Sequence, residues 1–408
     1  MRLTDEENAM LAGELGAPRR WAIAHQIAVG EFFDAADFVA VSQAHIMADT
    51  ESLGEAGVAF LEGLAAAPEP VRRVRVPTIT DPRGIDFAIY HRLGQSAAMA
   101  ALERRAINAL SACGVLMTDT CINYQTVIAP LRGEHVAYGD TGAVIYANSV
   151  LGARSNFEGG PSALAAALTG RTPRYGYHLD TCRRATRRFR LMDNPRDLSQ
   201  WGAVGGIIGE ACSSYWQVPV IEGLGMVPGS DALKHFGAAL ASFGSVALFH
   251  IPGITAEEPA FAGAPVTSIG RAEIEAFLAR YAARNDKLDV VVFTAPQLSL
   301  FEMEAVARAL DGRRVHPDTT VIVGTSPEIK HAADRMGLTS RIEASGAVVA
   351  QGICFYQSYA HEMAEANGWT RLMTNSAKLV NIIGGYGYRP TLASLERCVD
   401  SAVAGRVL

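Results

Sequence analysis

Residues 289–293, DVVVF, form a short apolar stretch of strand-forming residues; the polar loop TAPQLS (294–299) follows, and then a helical segment. The same unit recurs along the second half. TVIV (320–323) leads to GTSPEIK, AVVA (347–350) leads to QGICFYQ, and RLM (371–373) leads to TNSAK; earlier, SVALFH (245–250) leads to IPGIT. Strand, polar loop and helix in alternation argue for α/β architecture, with mostly parallel sheet and helices on its faces. Ligands gather at the carboxyl ends of the strands in such sheets. The polar loops are therefore expected to share one rim.

Upstream, residues 1–67 carry apolar residues at helical spacing. Thr4, followed by Asp5, Glu6 and Glu7, reads as a helix cap with acids in the first turn. VRRVRVP (71–77) alternates as a strand would and leads into a loop at 78–86. Residues 96–112 are Ala-rich and helical, and the apolar 114–117 runs into a polar loop at 118–123. A chain of 408 residues with 49% hydrophobic content exceeds one compact core. The expected division is a helical segment at 1–70, an α/β domain at 71–225 and a second α/β domain at 226–408. The last break is set by the Gly and Pro clustered in 221–230.

The net charge of −6 points away from nucleic acid and membrane surfaces. The N-terminal MRLTDEENAMLAGELG lacks the basic start and apolar stretch of a secretory signal. No apolar run approaches the roughly 20 residues of a membrane span. A cytoplasmic protein is expected. The six cysteines are scattered without a C-x-x-C, which in a reducing compartment makes them buried thiols or metal ligands.

The densest functional-looking segment is 133–160, GEHVAYGDTGAVIYANSVLGARSNFEGG. It reads either as a Gly-rich loop with satisfied turns or, since long polar loops in compact domains are usually functional, as a substrate cradle. In the cradle, Asn148, Ser149, Asn156 and backbone N–H groups hold a carboxylate and Arg154 adds a bidentate fork. In TNSAK (374–378), Lys378 sits over an anion at a helix start, or Ser376 or Asn375 merely caps the helix and Lys378 is exposed. Cys121 and Cys354 each follow a short apolar strand, a placement that suits metal ligation at one rim as well as ordinary burial. Arg183, Arg184, Arg187, Arg188 and Arg190 read as a solvated basic helix face or loop. GAVGGIIG (202–209) has the wrong Gly spacing for a dinucleotide fingerprint and marks close helix packing. Neither a Walker A, an H-E-x-x-H nor a nucleophile-elbow motif occurs.

Several stretches resemble one family. ANSVLGARSNFEGGPSALAAALTGRTPRYGYH (147–178) is closely similar to the signature of aconitase X. GEHVAYGD (133–140), TCINY (120–124) and MTNSAK (373–378) fit further motifs of that family. LAGELG (11–16), AHI (44–46) and PTITDPRGID (77–86) fit its opening segments, and ERCVDSAVAG (396–405) resembles the tail of its bacterial members. The similarity covers almost the whole chain.

The resemblance implies an aconitase-like fold of several α/β/α domains. It implies a hydro-lyase that removes water from a small hydroxy acid, with cis-3-hydroxy-L-proline first and mevalonate 5-phosphate as the alternative. It also implies iron held by Cys, as an iron–sulfur cluster or a single ion, and a small subunit like the swivelling domain of aconitase that carries a catalytic Ser. Carried onto this chain, it assigns catalysis to Lys378, Ser149 and Glu158. Substrate binding falls to Asn148, Arg154, Asn156, Asn375, Ser376, His45 and Thr78, and metal binding to Cys121, Cys354 and Cys398. The chain departs from the family pattern at Ala295, Gln297, Gly352-Ile353 and Phe157. Those departures leave open a different hydroxy acid, or a catalytically weak binding homologue.

Overall fold

In the computed structural model, which describes residues 1–259 and 265–408, the chain opens with helices Asp5–Ala12 and Ala17–Phe32. Thr4 caps the first as predicted. Its hydroxyl accepts from the Glu7 N–H, and the Glu7 carboxylate accepts from the Thr4 N–H, satisfying two groups that a helix start leaves open. Five short strands follow: β1 (Phe38–Ala40), β2 (Ala44–Ile46), β3 (Thr78–Thr80), β4 (Ala137–Tyr138) and β5 (Arg171–Pro173). β2 lies between β3 and β4 and parallel to both, while β1 pairs antiparallel with β5. Val58, Leu61 and Leu64 of helix Thr50–Ala65 and Ala106 and Leu110 of helix Ala97–Ala112 cover this sheet, packing with Ala44 and Ile46.

A second parallel sheet has β6 (Arg187–Leu191) between β7 (Pro219–Glu222) and β8 (Val266–Ile269). It takes strands from both sides of the 225/226 division. Helices Leu198–Cys212 and Ser230–Gly244 cross here through GAVGGIIG. A Cβ on Gly205 would lie 2.3 Å from the Phe236 carbonyl oxygen, and one on Gly244 only 2.4 Å from that of Gly209. Glycine is required at this crossing, as the Gly spacing implied.

The third sheet is the one built by the repeated unit. It contains β9 (Val290–Leu298), β10 (Thr320–Thr325), β11 (Val348–Gln351), β12 (Arg371–Thr374) and β13 (Arg389–Leu392), in the order β11-β10-β9-β12-β13 and parallel throughout. Central β9 is buried along its whole length. Each of its Val and Phe side chains contributes about 1.5–3 kcal/mol by leaving water.

Four local expectations are corrected. VRRVRVP is a short helix, Glu69–Arg72, followed by extended chain; its amides go singly to the Cys113 and Ala167 carbonyls instead of into a ladder. In 245–250, Ser245 ends the preceding helix in a left-handed conformation and only His250 bridges a strand. The Asn148 and Ser149 side chains take up the Ala247 carbonyl and the Phe249 N–H instead. TAPQLS is no loop up to Leu298, since β9 continues through it. The arginine run is no helix face. Arg187, Arg188 and Arg190 lie on β6, the latter two paired with Glu222, and Arg183 is buried against Glu257.

Candidate active site

Two parallel sheets bring their carboxyl-terminal ends together. The first contributes His45 on β2, Asp81 directly after β3 and Asp140 two residues after β4, with Cys121 in the loop beside them. The third contributes Gln297 near the end of β9, Cys354 after β11 and Lys378 after β12. All are buried. This is the shared rim that strand–loop–helix alternation predicts.

Lys378 Nζ donates to Asp140 Oδ1 at 3.2 Å and lies 5.5 Å from the Tyr356 ring centroid. Each partner is fixed by a cap. Asp140 accepts from the Ala143 N–H, and Ser376 accepts from the Leu379 N–H while donating to the Ala295 carbonyl. Both readings of TNSAK are thus half right: Ser376 caps the helix, yet Lys378 is buried. The Cys121 and Cys354 thiols lie close enough to perturb one another. His45 Nε2 lies 2.8 Å from the Thr120 carbonyl and 3.6 Å from Asp81 Oδ1. Gln357 Nε2 donates to Asp81 Oδ2 at 3.0 Å.

Low polarity sets the charge states. Burial, reinforced by Asp140, pushes the Asp81 carboxyl well above the usual range and favours its neutral form. Burial also lowers His45 below the usual imidazole value, outweighing the Thr120 carbonyl. For Lys378, burial opposes the charge, but Asp140, the two cysteines and Asp81 outweigh it and hold the ammonium above the ordinary lysine range. The Cys121 thiol is held up first by the neighbouring Cys354 thiol and then by burial.

Two neighbouring buried thiols, with the buried Asp81 Oδ1 and His45 Nδ1 lacking hydrogen-bond partners on the same rim, are a set of donors whose chemistry fits a thiolate-bound metal. Among the described residues no three His, Cys, Asp or Glu side chains form a ready metal cage. The fit is therefore to a two-sulfur anchor.

Other expected site residues lie elsewhere. Cys398 is in the core under the third sheet, its thiol 3.8 Å from the Ala393 carbonyl, and it does not join the cysteine pair. Thr78 begins β3 at the end away from Asp81, donating to the Val76 carbonyl. Asn148 is spent on Ser155 and Ala247, Ser149 on Phe249, and Asn156 on Tyr175, Tyr177 and Tyr215. Glu158 accepts from Thr172 on β5, and burial raises its pKa to about 7. Arg154 pairs with Asp180 and lines a cleft of about 640 Å³ with Arg132, Arg183 and Arg184. The Gly-rich signature is thus mainly a fastening of backbone. Asn375, also buried, makes no side-chain hydrogen bond within the described residues.

Family models of the aconitase X first, second and third domains match residues 1–181, 185–279 and 288–404. The chain belongs to the aconitase X family. The Methanothermobacter thermautotrophicus phosphomevalonate dehydratase large subunit is 37% identical over 386 residues, covering 93% of each chain. The Pseudomonas aeruginosa cis-3-hydroxy-L-proline dehydratase is 32% identical, covering 99% of this chain and 70% of that one. The crystal structure of Thermococcus kodakaraensis aconitase X (holo-form) superposes with a TM-score of 0.89 at 28% identity, covering 98% of this chain and all of that one. The chain is a hydro-lyase of aconitase X type. The name large subunit implies a small-subunit partner. Among the described residues no helix is long and apolar enough to cross a membrane.

Sequence reasoning missed Asp81, Asp140, Gln357 and Tyr356 in this aconitase X site. Asp81 and Asp140 carried a usable signal, since each follows a short strand ending, TIT and AY. Strands of three and two residues are too short to stand out by periodicity.

Proposed function

We propose that this aconitase X enzyme dehydrates a small hydroxy acid of low net charge, cis-3-hydroxy-L-proline first among them. The observation that carries this is the charge set of the site. Lys378 is matched by Asp140, Asp81 is held towards its neutral form, and nearby Arg83 is paired with Asp119. A phosphate dianion would need further unpaired cations, because an unmatched buried charge costs several kcal/mol, of the order of 3–5. A zwitterionic amino acid carries no net charge and needs no cation beyond Lys378. Mevalonate 5-phosphate is the second reading, favoured by the 37% identity to a phosphomevalonate dehydratase large subunit.

In this reading Lys378 and the unengaged amide of Asn375 grip the substrate carboxylate and stabilise the charge that develops there as the neighbouring proton leaves. Asp140 holds the ammonium in place, and Asp81, held towards its neutral form, has a proton to give to the departing hydroxyl. Cys121 and Cys354 would hold the iron centre, which when bound supplies Lewis acidity. A small subunit resembling the swivelling domain of aconitase closes the site and brings the base.

The test is to express the chain with its small subunit and measure dehydration of cis-3-hydroxy-L-proline and mevalonate 5-phosphate side by side. Turnover of the phosphate ester alone overturns the charge argument. Turnover of neither, with a family-typical enzyme active in parallel, overturns both readings.

A further inference from the structure

We propose that Gln297 is a positioning residue that clasps both cysteine loops and sets the geometry of the two-sulfur anchor. The proposal rests on the reading of Cys121 and Cys354 as iron anchors.

Gln297 is fully buried, and nearly every polar atom it has is used. Its Oε1 accepts from the Cys121 N–H at 3.3 Å. Its Nε2, whose two hydrogens are shared among three acceptors, lies 3.1 Å from the Asp119 carbonyl and 3.3 Å from the Thr325 and Ile353 carbonyls. Asp119 lies two residues before Cys121, and Ile353 directly precedes Cys354. One amide therefore ties together the two loops that carry the sulfurs, which are 233 positions apart in the chain (354 − 121). A primary amide alone offers two donors and an acceptor within one rigid plane. The Gln297 backbone N–H also donates to Cys121 Sγ at 3.4 Å. Hydrogen bonds to a ligating sulfur orient it and tune the metal it holds.

The clasp is braced from behind. The Gln297 carbonyl accepts from Lys234 Nζ at 3.1 Å, and Lys234 is itself buried against Glu302 and Asp231. Strand β9 thus reaches the cysteines with its end fixed on both sides. Gln297→Leu removes the bridge and leaves the Cys121 N–H and three carbonyls without it. Gln297→Glu keeps the shape and the acceptor but turns a carboxylate oxygen toward those carbonyls.

The experiment uses the holoenzyme with its small subunit, purified anaerobically. Three quantities are read: iron per chain, the rate of iron loss to an added chelator, and the position of the sulfur-to-iron charge-transfer band. Val399→Ala, in the core of the third sheet, controls for general loss of stability. Both Gln297 variants should lose iron at least about tenfold faster than wild type and shift the band, as outer-shell changes do, while Val399→Ala keeps the wild-type band. A folded Gln297 variant with wild-type iron release and band overturns the clasp. Wild type without iron overturns the iron reading instead. In that event, or should neither variant fold, amide hydrogen exchange of wild type decides. The Cys121 N–H must exchange among the slowest amides of the chain, and rapid local exchange refutes the clasp.

Discussion

Glu302→Gln tests the buried ion network behind the cysteine rim. Glu302 receives Lys234 on one oxygen and His235, 2.7 Å away, on the other, and all three side chains are buried. Burial alone would raise the Glu302 pKa, but the attraction of Lys234 and His235 outweighs it and lowers the value from 4.5 to about 2. At about 1.4 kcal/mol for each pH unit, that displacement corresponds to about 3 kcal/mol of folding free energy. The cost of removing one partner from a buried ion pair, about 3–5 kcal/mol, agrees. Because the folded value lies below the unfolded one, this stabilisation is fully present above about pH 4.5 and is lost as pH falls toward 2. Urea denaturation at pH 7 should therefore show Glu302→Gln less stable by about 3 kcal/mol. The gap to wild type should stay level from pH 7 to 5 and shrink below 4.5. A gap under about 1 kcal/mol at pH 7, or one unchanged at pH 3.5, refutes the reasoning.

Three further outcomes are expected. Cys354→Ser should lose iron, whereas Cys398→Ala should keep it and cost only about 1 kcal/mol of stability for a small cavity; metal analysis and urea midpoints check both. Glu158→Gln should gain on wild type as pH rises. The folded pKa of Glu158 is raised to about 7, so wild type loses up to about 3 kcal/mol between pH 4.5 and 7, and a pH-independent difference would exclude this. Arg154→Gln should leave KM unchanged and cost under about 1 kcal/mol, since its partner Asp180 is 84% exposed; a large rise in KM would return Arg154 to the substrate.

Much of the architecture was legible because its signals are local. The run of four apolar residues at 290–293 and the polar turns after β10, β11 and β12 mark a parallel sheet from within a window of about ten residues, close to the usual length of such a unit. Cys121, Cys354 and Lys378 could be named because motif resemblance and position after a strand agreed. Asn148, Ser149 and Asn156 misled because a polar side chain that serves a ligand and one that fastens a loop look alike in sequence. Only the partners tell them apart, and those partners, at Ala247, Phe249 and Tyr215, are distant in the chain. Cys398 misled for a similar reason, since a cysteine inside an amphipathic helix has no mark showing which way it faces.

The Lys378–Asp140 pair has a consequence for biosynthesis. The two residues are 238 positions apart, so at ribosomal speed the acid is made roughly 10–50 s before its counter-ion. During that interval Asp140 has no Lys378 to neutralise it, although Cys121 and, from residue 354 onward, Cys354 are already in place. The pair therefore closes only as translation nears its end, and a fragment ending before residue 378 leaves the buried Asp140 without its counter-ion.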